Sequence, residues 1–110
     1  MPRDIPESDW KVFRELRTKA LERFCERVLI DVQRLSSDSS KTFHDRYIDV
    51  YRLIEQRDRE LARAIDAPRR SRAMLELALL VSRGLIEPEE LKRFTPTTRD
   101  TIASLLTRQG

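Results

Sequence analysis

Apolar residues recur along this chain at intervals of three and four, a helical period, and nowhere alternate as in a strand. The first such series is Trp10, Phe13, Leu16, Ala20, Leu21, Phe24, Val28, Val32 and Leu35, with Cys25 and Leu29 at its edge. No Gly or Pro interrupts it, which predicts one amphipathic helix over residues 9–35, about 40 Å long at 1.5 Å per residue. Ser8 stands where an N-cap is needed, and Asp9 suits the positive end of the helix dipole. A polar break, Ser36–Lys41, follows, short enough to turn the next helix back as an antiparallel neighbour. Thr42 and Asp45 have capping-box spacing there. The second helix reads Phe43, Tyr47, Val50, Tyr51, Ile54, Asp58, Leu61 and Ile65 along one face, predicted to point inward.

Asp66-Ala67-Pro68 ends that helix and opens the third. Its centre, Ala73–Val81, is the one dense apolar run, with eight of nine residues hydrophobic and Glu76 the interruption. A helix this apolar belongs in the middle of a core. Its expected span is 68–83, closed by Gly84 in the left-handed conformation that follows many helix ends. A short helix over 88–94 and a last one over 96–107, with Ile102, Leu105 and Leu106 inward, complete the pattern. The expected fold is all-α. A long antiparallel helical hairpin and the central apolar helix form a three-helix core, and two short C-terminal helices close it. Residues 1–7, with Pro2 and Pro6, are expected as an extended arm before a single domain at 8–110. The long helices outrun the central one, which at ~16 residues measures about 24 Å. The excess apolar surface must be covered by the C-terminal helices, a kink, or a second copy. A symmetric homodimer is the commonest oligomer and is the expected one.

Composition narrows the picture. Charged residues make up 37% of the chain and hydrophobic ones 39%, which calls for helical surfaces interleaving both signs. The net charge of +3 resides between residues 67 and 84, around Arg69, Arg70, Arg72 and Arg83. Residues 41–66 carry six basic and six acidic side chains. This balanced surface is no phosphate-binding footprint. No N-terminal export signal and no apolar run near the ~18 residues of a membrane span is present, so a cytoplasmic location is expected. A single cysteine excludes an intrachain disulfide and a multi-cysteine metal site.

The candidate chemistry is sparse. His44, the only histidine, lies in the first turn of the second helix without positioned co-ligands or a nucleophile. Cys25, in mid-helix beside the apolar stripe, reads as a small buried hydrophobe. Asp58 falls inside an apolar stripe and needs a cation there. With Arg57, Tyr51 and His44 it forms a candidate buried polar cluster, and Arg69 or Arg72 is its expected partner. Ser8-Asp9-Trp10-Lys11 matches the S-x-x-K pattern of serine acyl enzymes by chance, since no companion motif accompanies it. No glycine-rich phosphate cradle exists. Arg69, Arg70 and Arg72, ahead of the third helix, are the candidate contacts for an anion or a partner.

Ser8-Asp9-Trp10, Ala20–Leu29, Lys41–Tyr47, Arg57–Ala62 and Arg69–Ala73 together resemble a group of short, uncharacterised bacterial all-helical proteins. The resemblance implies no activity and transfers no functional residue. The expectation is therefore a non-catalytic protein without cofactor or metal, acting through protein–protein interaction or self-association. One alternative is a nucleic-acid or anion-binding accessory protein acting through residues 69–72. A second is an enzyme with an unrecognised site.

Overall fold

A computed structural model describes residues 5–64 and 69–109. The described chain is all helical: α1 (Glu7–Ser36), α2 (Phe43–Ala64), a 3-10 turn (Arg70–Arg72), α3 (Ala73–Ser82), α4 (Pro88–Leu91) and α5 (Pro96–Gln109). The predicted stop at Asp66-Ala67-Pro68 and the face position Ile65 lie outside the described residues.

Helix α1 starts earlier than its sequence suggests. Its N-cap is Pro6, with no capping side chain, and the Pro6 carbonyl accepts from the Trp10 amide at 2.8 Å. Ser8 is exposed inside the first turn. The cause lies one residue upstream, where Ile5 is 1% exposed and belongs to the core. That anchor, followed by a proline whose φ is already fixed, sets the helix start. The inner end of the expected extended arm is thus part of the packed domain, and Glu7 is helical. At α2 the Thr42 hydroxyl accepts the Asp45 amide at 3.0 Å, one half of the expected box. A reciprocal capping box forms instead at α4, between Glu87 and Glu90.

The central helix is shorter than expected because its first turn tightens into the 3-10 segment. It ends in a Schellman arrangement, in which the Gly84 amide donates to Val81 (2.9 Å) and the Leu85 amide to Leu80 (3.0 Å). Gly84 has φ +69°, and a Cβ there would also stand 3.8 Å from the Arg27 guanidinium. Gly84→Ala is therefore expected to cost about 1–2 kcal/mol through the left-handed backbone alone. Urea denaturation measures it, and an unchanged midpoint would contradict the cap.

The core gathers at one end of the molecule. Phe13, Leu16 and Ala20 of α1 meet Ala73, Met74, Leu77, Ala78 and Leu80 of α3, together with Ile5, Leu85, Ile86, Phe94 and Ile102. Helix α3 makes its most extensive contact with α5. The expected three-helix core is corrected on this point. The third partner is α5, whose Thr98 and Ile102 are buried, while no described residue of α2 is. Helix α2 lies against the outer part of α1, where Arg57 approaches Asp31 at 3.7 Å and Arg46 donates to the Ser36 carbonyl at 3.4 Å. The result is a packed head with a projecting pair of helices. Its extents are 53 × 25 × 25 Å and its radius of gyration 16.9 Å, against about 13 Å for a compact chain of this length. The accessible surface, 7667 Å², likewise exceeds the roughly 6,300 Å² typical of a monomer of this mass.

Candidate functional site

The pair of helices leaves the head because its sequence is too polar to be enclosed and too apolar on one side to be finished. Helix α2 turns Val50, Leu53, Arg57, Glu60 and Leu61 toward α1, where all are half-buried. Phe43, Tyr47, Tyr51 and Ile54, spaced by four, four and three, form a second stripe about a quarter-turn away. They range from 43% exposed at Ile54 to 83% at Phe43. Leu29 of α1, 65% exposed, lies on the same side of the pair, since α2 runs opposite to α1 and both follow the 3.6-residue period. The Arg46 guanidinium stacks 4.8 Å above the Phe43 ring. Lys41 is tied to Asp49 at 2.7 Å, and this carboxylate raises the lysine pKa.

The apolar arc of α2 is thus wider than one neighbouring helix covers. The sequence correctly marks these residues as one face, but their inward direction is corrected. The candidate buried polar cluster is corrected with it. Tyr51, His44 and Asp58 are exposed and Arg57 only half-buried. Asp58 has no ion pair to Arg69 or Arg72, because it is exposed to water beside the open stripe, while Arg57 turns to Glu60 at 3.0 Å. Cys25 is also exposed, not a buried hydrophobe, since it is the neighbouring Phe24 that turns toward the core.

The arginines before α3 divide. Arg70 pairs with Glu7 at 2.7 Å, donates to the Ile5 carbonyl at 3.2 Å and lies 6.0 Å over the Trp10 ring. It ties the start of α1 to the start of α3. Arg69 and Arg72 are exposed, with no ion pair among the described residues.

The buried polar groups are elsewhere. The Asp9 carboxylate, 1% exposed, accepts from the Thr95 amide at 3.0 Å and from the Thr95 and Thr98 hydroxyls at 2.6 Å each. Glu76 receives Arg17 at 3.0 Å. Both acids had a signal in the sequence: Asp9 continues the Phe13–Leu16–Ala20 stripe backward, and Glu76 alone breaks the apolar run. Reading Asp9 only as a dipole partner for its own helix missed the second helix it serves.

Glu90 takes both terminal nitrogens of Arg23, at 2.7 and 2.9 Å. Hydrogen bonding to Arg23 brings its pKa from 4.5 to about 2, against the opposing effect of burial. Because the folded value lies below the unfolded one, the pair's stabilisation is complete above pH 4.5 and is lost as pH falls toward about 2. Glu90→Gln is expected to lower stability at neutral pH and to flatten the acid limb across that interval. Denaturation curves at stepped pH would show it, and an unchanged limb would contradict the pairing.

Among the described residues no group of three or more His, Cys, Asp or Glu is placed to hold a metal ion, and no helix is long and apolar enough to cross a membrane. No protein-family model, no curated protein and no solved structure matches this chain.

Proposed function

We propose that this protein works by self-association, with the antiparallel α1–α2 hairpin as its docking element and a second copy of the same hairpin as the partner. The observation that carries the reading is the open stripe of Phe43, Tyr47, Tyr51 and Ile54, on a helix with no buried side chain among the described residues. Aromatic side chains exposed in a row are unfavourable in water and are the usual anchors of protein interfaces.

Two features favour a second copy as the occupant. The first is area. A 22-residue helix is about 33 Å long and a helix pair about 20 Å wide, so two facing hairpins cover roughly 1,300 Å² in total, within the range of stable specific interfaces. The second is charge. Six basic and six acidic residues at 41–66 give this stretch no net sign, so a face brought against its own copy meets no excess of like charge. The resulting four-helix arrangement satisfies the apolar periodicity of both helices. Sedimentation of the full chain from micromolar to millimolar concentration tests it. The expected mass rises to twice the 13.0 kDa of one chain, and a single-chain mass throughout would refute it.

A further inference from the structure

A separate feature lies where the hairpin joins the head. A half-open hollow of about 280 Å³ is lined by Phe24, Val28 and Leu85 on its apolar side, and by Arg27, Arg57, Arg83, Asp31 and Glu60 on its polar side. Three guanidiniums face two carboxylates. Arg57 is served by both acids, Glu60 at 3.0 Å and Asp31 at 3.7 Å. Arg27 has no carboxylate, and donates to the Arg83 and Gly84 carbonyls at 3.0 and 2.7 Å. Arg83 has only a long 3.6 Å approach to Glu60, and its Nε is buried with no hydrogen-bond partner. One positive charge and one buried donor thus go unmatched at the same hollow, among the described residues.

We infer that this hollow binds a small organic oxyanion. Its phosphate or carboxylate group is held by Arg83 with Arg27, and its short apolar body lies on Phe24, Val28 and Leu85. A guanidinium matches such a group with two parallel hydrogen bonds, and the missing acceptor for Arg83 is what the anion supplies once the side chain turns outward. The volume suits such a ligand. At about 30 Å³ per water, 280 Å³ is room enough for a single-ring compound. This site is distinct from Arg69 and Arg72, and it is independent of self-association, since it uses neither the open stripe nor Leu29.

Titration calorimetry with phenyl phosphate, benzoate and inorganic phosphate tests the inference on the full chain. Phenyl phosphate or benzoate is expected to bind more tightly than inorganic phosphate, because only they use the apolar wall; the better of the two identifies the anionic group. Arg83→Gln is expected to weaken binding about tenfold or more, the worth of one charge-assisted hydrogen bond. Glu60→Gln, which removes the competing carboxylate, is expected to tighten it severalfold, an effect that partial unfolding would not produce. Absence of binding by all three probes at millimolar concentration would overturn the site. So would binding unchanged in Arg83→Gln, or binding lost in an Arg69→Gln, Arg72→Gln double variant.

Discussion

Asp9→Ala is expected to destabilise the fold by about 3 kcal/mol, the largest loss from any single side chain outside the apolar core. Three donors converge on this carboxylate: the Thr95 amide and the hydroxyls of Thr95 and Thr98. Pro96 follows Thr95 and has no amide of its own, and the Thr95 carbonyl takes the Arg99 amide at 3.0 Å. Asp9 therefore caps α5 from another helix, with its charge at the positive end of α5. Alanine leaves those donors shielded from water without acceptors, and each unsatisfied group costs about 1–3 kcal/mol, offset in part by relaxation. For a chain of this length the melting temperature falls by roughly 10–20 °C. Asp9→Asn keeps the shape and one acceptor oxygen, so it should lose about half as much. Urea denaturation with matched m-values measures both, and an alanine variant within 0.5 kcal/mol of the parent, roughly the scatter of ordinary surface changes, would contradict the clamp.

The second large effect expected leaves stability alone and removes the proposed self-association. Tyr47→Glu with Ile54→Glu places two carboxylates on the open stripe, at positions that water already reaches in the single chain. The helix tolerates Glu well, so circular dichroism and the single-chain melting behaviour are expected to stay as they are. Across a self-pairing face each substitution occurs twice. Four buried, unpaired carboxylates, each costing several kcal/mol to bury, exceed what an interface of this size supplies, and the variant is expected to run as one chain at every accessible concentration. Asp58→Arg, at the stripe's margin, should change association by less than tenfold, since a rim charge contributes little. A double variant that still pairs would place the interface elsewhere.

These expectations rest on a division that the sequence showed only partly. Helix identity was legible, because three-and-four spacing and unbroken charged surfaces leave no other reading for residues 9–35 or 43–64. Gly84 was legible for the same local reason: a left-handed residue after an apolar helix needs glycine. Burial was not. The apolar stripe of α2 looks the same in sequence whether it covers a core or meets a partner, and only the short span of α3 decides between them. Asp58 and Asp9 both interrupt apolar stripes, yet one is in water and the other buried. The difference lies in Thr95 and Thr98, more than 80 residues from Asp9, a pairing no local pattern reveals. The arginines at 69–72 divided for a similar reason. Arg70 finds Glu7 and Trp10 because α1 begins beside it in space, not in sequence.

Isotope-filtered NOE spectroscopy on a mixture of labelled and unlabelled chains reads out the covering of the α2 stripe by a second hairpin. Cross-peaks between chains are predicted from the Tyr47 and Tyr51 rings to the methyl groups of Leu29 and Ile54. Intermolecular cross-peaks confined to the head, or none at concentrations where the chain is folded, would contradict it.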